Sequence, residues 1–327
     1  MELEVLFLGT GGSAPTARRG LPAIMVTRGG DRMLFDCGEG TQRQLLRSVG
    51  LVDLPEIYVT HFHGDHILGI PGMLKSFALR GREAPLRIYG PRGLDALWRA
   101  ALGPLVGRLP YQLELIELEP NEELGRDDYA ITPFRVDHGG GDAYGYAIVE
   151  RPRPGRFDEA RAIELGVAPG PDFGRLHRGE TVPGATGPVS PAGVVGAERP
   201  GRKVVLAGDC APSESTVIAA DGADLLVHEA SFIREESGRA GETGHSTAAG
   251  AAELAARAGV KLLALVHISP RYGGGELRAE AREVFSPTIV PRDLDRVQIP
   301  FAERGDPVHV KVEGEAREGP TVAPRLG

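Results

Sequence analysis

The sequence has few cysteines, no long apolar run and no excess of basic charge, and each shortage excludes a class of protein. Two cysteines in 327 residues are too few for a disulfide framework. No apolar stretch is long enough to span a bilayer. The acidic start, Met1–Val5, lacks the basic and then apolar pattern of a secretory signal. These features predict a cytoplasmic protein without a membrane segment.

The charge balance limits how this chain can bind nucleic acid. The formal net charge is −8, whereas a protein that binds RNA or DNA over its whole surface is basic. Any such binding therefore requires a local basic region. The Pro/Gly-rich segment 151–202 is a candidate, because Arg151 to Lys203 contains nine Lys/Arg and six Asp/Glu.

Apolar periodicity predicts alternating strands and helices on both sides of this segment. Leu3–Gly9 is predicted as a buried strand, Ile67–Leu79 as a helix and Val297–Pro300 as the last strand. Within the segment, only Asp158–Leu165 has a helical pattern, and loops of this length are usually functional or disordered. We expect an α/β fold in two similar halves: one domain over 1–314, an insertion over 151–202 and a frayed tail over 315–327.

A cluster of histidines follows the predicted strand Ile57–Thr60. The six residues from His61 to His66 contain three of the nine histidines. In an extended chain, positions i and i+2 face the same way, so His61 and His63 can bind one metal. After a turn at Gly64, Asp65 and His66 can face a second metal. Imidazole and carboxylate ligands suit zinc, with manganese or iron as possible substitutes.

Three further candidate ligands, His138, Asp209 and His267, each follow a predicted strand. Active sites of α/β proteins gather where strands end. A single histidine at such a place is more often a hydrogen-bonded structural residue. As a set, however, these three residues supply the additional ligands that a two-metal site needs.

The cluster, followed in order by the lone histidine, the Gly-Asp pair and the last histidine, resembles the metallo-β-lactamase superfamily. This resemblance implies a four-layer αβ/βα sandwich, here with an inserted protruding arm, and two zinc ions. One ion would be held by His61, His63 and His138, the other by Asp65, His66 and His267, with Asp209 as a bridge. Asp36 would orient a ligand histidine instead of binding metal.

Four local motifs narrow the resemblance to the ribonuclease Z family, and the similarity runs from about Leu3 to Pro300. The motifs lie at Leu34–Gln44, His63–Gly72, Ala240–Thr247 and His267–Tyr272. The resemblance implies a homodimeric, zinc-dependent endoribonuclease that removes the 3′ trailer from precursor tRNA and leaves 3′-hydroxyl and 5′-phosphate ends. The stretch Gly166–Val182 is similar to the arm that holds the tRNA elbow in this family.

The same resemblance implies roles for individual residues. Asp65 would orient or deprotonate the attacking water. His245 would protonate the leaving oxygen, held by either Glu229 or Glu242. Phosphate or RNA contacts are expected from Ser269, Arg271, Arg19, Arg175 and Arg178, with Arg151, Arg153 and Arg156 as further candidates. The chain departs from the family pattern in the loop Pro15–Gly20, so the cut position is less well determined.

Two other functions fit parts of the sequence. One is a phosphodiesterase or arylsulfatase of the same fold that acts on small substrates and has no use for a basic arm. The other is a catalytically inactive RNA-binding homologue. The second is weaker, because every expected metal ligand is present.

Overall fold

The computed structural model of the chain describes residues 1–51 and 54–312, so the predicted tail 315–327 lies outside the described residues. The chain divides into two compact units. The smaller comprises Asp127–Tyr129 and Val149–Arg202, and the larger comprises the rest of the described residues. Within the described ranges, no helix is both long enough and apolar enough to cross a membrane.

Two large mixed sheets form most of the fold. The first has the strand order β17-β16-β1-β2-β3-β4-β5-β6. These strands are β1 (Leu3–Gly9), β2 (Ala23–Arg28), β3 (Asp31–Phe35), β4 (Glu56–Tyr58), β5 (Leu86–Gly90), β6 (Leu113–Glu117), β16 (Arg296–Gln298) and β17 (Val308–Val310). Strands β3 to β6 are parallel, whereas β1 is antiparallel to both β2 and β16.

The second sheet has the order β15-β14-β13-β12-β9-β8-β7. Its strands are β7 (Leu124–Gly125), β8 (Tyr129–Val136), β9 (Ala143–Glu150), β12 (Lys203–Leu206), β13 (Leu225–Glu229), β14 (Leu262–Val266) and β15 (Thr288–Ile289). Strands β12 to β15 run parallel. Each sheet therefore contains a block of parallel strands whose carboxyl ends lie at one edge.

Helices cover the outer faces of both sheets. The helices of the larger unit are α1 (Thr41–Ser48), α2 (Gly64–Ile67), α3 (Ile70–Leu79), α4 (Leu94–Leu97), α5 (Gly103–Val106), α8 (Glu214–Ala220), α9 (Ser237–Glu242), α10 (Ala248–Ala258) and α11 (Gly274–Val284). One apolar cluster joins the first sheet to α1 and α3, and another joins the second sheet to α8, α10 and α11.

Alternation along the strands explains the layers, because successive side chains point to opposite faces. In β1, Leu6 and Leu8 join the cluster under the helices. The inner faces of the two sheets meet through aromatic rings: Tyr146 of β9 lies 5.4 Å from Phe35 and 5.5 Å from Tyr58, centroid to centroid.

The smaller unit contains more regular structure than the sequence predicts. Besides α6 (Glu159–Glu164), which falls within the predicted helix, it contains α7 (Pro171–His177) and the hairpin of β10 (Val182–Pro183) and β11 (Pro188–Val189). A small apolar core holds them together, centred on Ala162, Val167, Leu176, Val182, Val189 and Val194. The expectation of a single helix was wrong, because α7 and the hairpin are too short to produce a clear periodicity.

Candidate metal centre

The candidate ligands come from loops at the carboxyl ends of strands, and all of these strands except the one before His138 are parallel. His61 and His66 follow β4, Asp209 follows β12 and His267 follows β14. His138 follows β8, which pairs antiparallel with β7. His267 has a φ angle of 55°, and Asp36, which follows β3, has one of 57°. Both lie in the left-handed region that residues with a side chain seldom adopt.

Three histidines form one potential metal cluster. The ligand atoms of His61, His63 and His138 lie within 4.8 Å of one another. Nε2 of His138 is 3.1 Å from Nδ1 of His63. His61 and His138 are buried, whereas His63 is exposed. The structure thus brings His61 and His63 together with His138, which lies 75 residues after His63 in the sequence.

A second cluster contains Asp65, His66 and His267, also within 4.8 Å. Nε2 of His267 lies 3.3 Å from Oδ2 of Asp65. Asp209 lies between the clusters: its Oδ2 is 3.0 Å from Nε2 of His267, 3.3 Å from that of His66 and 4.0 Å from that of His61. This carboxylate is therefore placed to face both clusters.

Two buried nitrogen atoms show that these residues fit a metal ion. Among the described residues, Nε2 of His61 and Nε2 of His66 are buried side-chain atoms without a hydrogen-bond partner. Asp209 Oδ2 is 3.3 Å from Nε2 of His66, but the two do not form a hydrogen bond. Leaving a buried polar atom without a partner is costly. A cation bound between these two nitrogen atoms and the Asp209 carboxylate would remove that cost, so the residues fit a metal ion.

Other side chains hold the opposite edge of each imidazole. Oδ2 of Asp36 lies 2.7 Å from Nδ1 of His66. The hydroxyl of Thr60 donates to the same carboxylate at 2.9 Å and lies 3.0 Å from Nδ1 of His61. Such contacts fix the orientation of a ligand imidazole and leave its other nitrogen for metal.

Glu229 plays a similar part for a second pair of histidines. Its Oε1 is 2.6 Å from Nδ1 of His245, and its Oε2 accepts a hydrogen bond of 2.6 Å from Ser231. Oγ of Ser231 lies 2.7 Å from Nδ1 of His267. Glu229 is completely buried, whereas Glu242 is exposed. Of the two carboxylates left open by the sequence, Glu229 is the one that contacts His245.

The local environment sets the charge of these groups. Burial lowers the pKa of His61 to about 2, so its imidazole is neutral, the form that binds metal. Burial also lowers the pKa of His245, but the hydrogen bond and the charge of Glu229 raise it to above its usual value. Burial raises the pKa of Asp209, but nearby His267 and His66 hold it well below its usual range.

Two glycines allow backbone to approach the ligands. A Cβ at Gly12 would lie 2.4 Å from Nδ1 of His267. Gly244 has a φ angle of 69°, and its carbonyl oxygen lies 2.9 Å from Nδ1 of His138. A larger residue at Gly12 would meet the ring of His267, and one at Gly244 would lie 2.7 Å from the main-chain nitrogen of Gly139, next to His138.

The residues expected to contact RNA near the metal centre differ in their burial and in their neighbours. Arg19 is 8% exposed, and its Nη1 donates to Oγ1 of Thr10 and to the carbonyl of Pro291 at 2.6 and 2.8 Å. It braces the loop from within, and the RNA contact expected from Arg19 stays a prediction. Ser269 and Arg271 lie together, with Nε of Arg271 3.4 Å from Oγ of Ser269.

Arg271 also lies near the candidate acid. Its guanidinium carbon is 5.0 Å from the ring centroid of Phe232, which is 6.1 Å from that of His245. Its Nη1 lies 3.6 Å from a carboxylate oxygen of Glu236. A phosphate group that binds here would share Arg271 with this carboxylate.

In the smaller unit, the two predicted arginines already have acidic partners. Arg175 pairs with Glu180 at 2.9 Å and with Asp172 at 3.1 Å. Arg178 lies 3.4 Å from the same Glu180. Arg156 is exposed. RNA phosphates would therefore compete with carboxylates for Arg175 and Arg178.

Sequence reasoning missed Ser231, Thr60 and the main-chain amide of Ser13, which donates to Oδ2 of Asp65 at 2.9 Å. A signal existed for the first of these. Ser231 stands two residues after Glu229, and an i, i+2 pair of polar residues at a strand end shares one face. Ser13 and Asp65 are 52 residues apart, so their contact depends on the tertiary fold and cannot be predicted from the spacing of residues in the sequence.

Comparisons with known proteins identify the families and chains that this sequence resembles. A family model described as "Beta-lactamase superfamily domain" matches residues 175–268, and one described as "Anti-Pycsar protein Apyc1" matches residues 3–150. The Ribonuclease Z of Gemmatimonas aurantiaca is 47% identical over 307 residues, covering 93% of this chain and 98% of that protein. The Ribonuclease Z of Natronomonas pharaonis is 46% identical over 308 residues, covering 93% and 100%.

Among solved structures, human tRNase Z, short form, superposes with a TM-score of 0.66 at 27% identity, covering 91% of this chain and 99% of that one. Together with the two mixed sheets, this similarity confirms the predicted α/β sandwich fold.

Proposed function

The chain belongs to the ribonuclease Z family, and we propose that it is a zinc-dependent endoribonuclease that removes the 3′ trailer from precursor tRNA. The reaction hydrolyses one phosphodiester and leaves a 3′-hydroxyl on the tRNA and a 5′-phosphate on the trailer. The observation that carries this proposal is the convergence of two metal clusters with the His245–Glu229 pair at one edge of the fold.

Two zinc ions would be held by the clusters already described, one by His61, His63 and His138, and the other by Asp65, His66 and His267, with Asp209 shared. The mixture of imidazole nitrogen and carboxylate oxygen favours zinc, and manganese or iron(II) are the expected substitutes. A bound zinc ion acts as a Lewis acid that lowers the pKa of water to about 7 and offsets phosphate charge.

Asp65 would orient the attacking water or accept its proton. Its Oδ2 accepts a hydrogen bond of 2.9 Å from the main-chain amide of Ser13. This contact orients the carboxylate, and a fixed orientation is what general-base catalysis requires.

His245 would donate a proton to the departing ribose 3′-oxygen. Its Nδ1 is engaged with Glu229 at 2.6 Å, and its ring lies 4.8 Å from that of His138, centroid to centroid. The buried carboxylate favours the protonated imidazolium and leaves Nε2 to deliver the proton. Arg271 and Ser269 would bind the phosphate group beside it.

We assign the inserted segment 151–202 to tRNA binding away from the cut. It has its own apolar core and an excess of basic residues in its sequence. Phosphate contacts supply most of the affinity for RNA. Exposed Arg151 and Arg156 can make such contacts, since neither forms an ion pair within the part of the chain that the structure describes. Arg175 and Arg178 would have to exchange carboxylate for phosphate.

The deciding experiment is to map the cut on a precursor tRNA with and without chelator. We expect one cut near the 3′ end of the mature tRNA, a 5′-phosphate on the trailer and loss of cutting when metal is removed. Hydrolysis of a small chromogenic phosphodiester with no cutting of precursor tRNA would instead support a small-molecule phosphodiesterase. Binding of tRNA by a metal-loaded protein that cuts neither substrate would support an inactive homologue.

A homodimer is part of the same proposal and rests on the family resemblance. Light scattering coupled to gel filtration, at protein concentrations near those of the assay, tests it. A mass of one chain under these conditions would contradict it.

A further inference from the structure

A cleft of about 360 Å³ lies beside α11 and the loops on either side of β16 and β17. Besides the buried Arg19, four cationic side chains line it: Arg278, Arg282, Arg292 and Lys311. We call this group the cationic cleft. Neither the metal clusters nor the His245–Glu229 pair uses any of its residues.

The acidic groups of the cleft are engaged by other donors. Asp293 accepts hydrogen bonds from the main-chain amides of Gly20 and Thr10 at 2.6 and 3.0 Å. Asp295 lies 2.8 Å from Nε2 of His309. These carboxylates have partners within the loops, and among residues 1–51 and 54–312 neither of them forms an ion pair with Arg278, Arg282 or Lys311.

Two of the cations are available to a ligand. Arg278 and Lys311 are exposed, and within residues 1–51 and 54–312 neither side chain has an acidic partner. Nε of Arg282 donates to the carbonyl oxygen of Thr288 at 2.8 Å, which orients its guanidinium without neutralising it. A cleft with this charge fits an anionic ligand.

The cationic cleft adjoins a second cleft of about 330 Å³, built on the loop 15–21 and α1. Arg19 and Asp293 line both clefts. The second cleft adds exposed Arg18 and Arg43. The same loop region carries Ser13, whose amide binds Asp65 at the metal centre. Positive charge therefore extends from loops of the metal centre to α11.

We propose that the cationic cleft binds phosphodiester groups of the precursor RNA outside the nucleotides at the cut. This inference rests on the proposed function. Arginine presents several donors to phosphate oxygens, and lysine acts as a mobile point charge. Because the chain carries a net charge of −8, a local group of cations is needed to offset repulsion of RNA.

The test removes the two unpaired cations in the variant Arg278→Ala/Lys311→Ala and measures cleavage of precursor tRNA over a range of salt concentrations. Each lost phosphate contact reduces the slope of log affinity against log salt by about 1. We therefore expect KM to rise roughly tenfold at low salt and the slope to fall by about 1 to 2, with kcat unchanged. Hydrolysis of a small chromogenic phosphodiester should also stay unchanged.

The matched control is Arg108→Ala/Arg304→Ala, which removes the same charge from exposed positions outside the cleft. A cleft variant that behaves like its parent would overturn the inference, as would an equal change in this control, because the effect would then be one of net charge. If the unmodified chain does not cut precursor tRNA, the proposed function itself is overturned. This outcome is measured before any variant is compared, so it is distinguished from failure of the inference.

Discussion

The hydroxyl of Ser231 lies 2.7 Å from Nδ1 of His267 and donates to Glu229 at 2.6 Å. Because that hydroxyl gives its proton to the carboxylate, it accepts from His267, which places the imidazole proton on Nδ1 and the lone pair on Nε2. The other oxygen of Glu229 binds His245. One buried carboxylate thus supports both a candidate metal ligand and the candidate acid.

Ser231→Ala should weaken the metal site without unfolding the protein. The imidazole of His267 loses the partner that fixes its tautomer, and losses of this kind typically cost 10- to 100-fold in metal affinity or activity. The measurement is the metal content and the turnover of a small phosphodiester at a series of free zinc concentrations, and the variant should need more zinc than its parent to reach the same values. Ser237→Ala, at an exposed serine, serves as control, and equal behaviour of the two variants would contradict the assigned role.

His245→Ala should retain both metals and lose most turnover. General acid catalysis contributes roughly 10²- to 10⁴-fold, and the described clusters of His61 and His66 remain complete without this side chain. Metal analysis and single-turnover cleavage separate the two effects. Simultaneous loss of metal and activity would make His245 a ligand and not a separate acid. Glu242→Gln, at an exposed carboxylate, should behave like the parent.

Gly12→Ala should disturb the metal centre through His267. The added Cβ would lie 2.4 Å from the ring, far inside van der Waals contact, so the imidazole must move. We expect lower zinc content and a fall in activity of at least about tenfold, as for other disturbed ligands. Gly30→Ala is the matched control, since a Cβ there meets no atom within 4 Å. Full zinc content in Gly12→Ala would show that the loop shifts instead.

Metal removal should lower stability as well as activity. A ligand that binds only the native state stabilises it by mass action, by about 4 kcal/mol when its concentration is a thousand times the dissociation constant. We expect the midpoint of thermal unfolding to fall on treatment with chelator and to recover on addition of zinc. An unchanged midpoint in protein shown to be metal-free would argue against ions bound between Asp209 and the buried histidines.

Replacing residues 155–197 of the arm by a short linker should reduce tRNA cleavage without stopping the hydrolysis of small phosphodiesters. Arg153 and Arg199 exchange two main-chain hydrogen bonds of 2.8 Å, so a short Gly/Ser linker can join Pro154 to Glu198. We expect cleavage of precursor tRNA to fall steeply through KM, while hydrolysis of a small phosphodiester continues. Circular dichroism would verify the fold, and unchanged tRNA cleavage by the folded variant would remove the arm from the binding site.

Residue type and order were enough to predict the fold class and to select residues that the structure brings together. The pair His61 and His63 follows from strand periodicity, and Asp209 and His267 follow from their positions after apolar strands. The burial of Arg19 was not predicted, because the sequence shows a basic residue in a loop but not how far its side chain is exposed. The choice between Glu229 and Glu242 also needed coordinates, since both stand at short distances from His245 along the chain.

The arm has a consequence for how the second sheet folds. Strands β9 and β12 are neighbours, although the whole arm separates them in sequence. Hydrogen bonds between Arg153 and Arg199, and the buried ion pair of Glu150 and Arg202 at 2.6 Å, close the arm at its base. If the arm forms first, the loop that must close shrinks to a few residues, which saves roughly 2 kcal/mol of chain entropy. Its hairpin and helices then act as a local folding unit that speeds a long-range strand pairing.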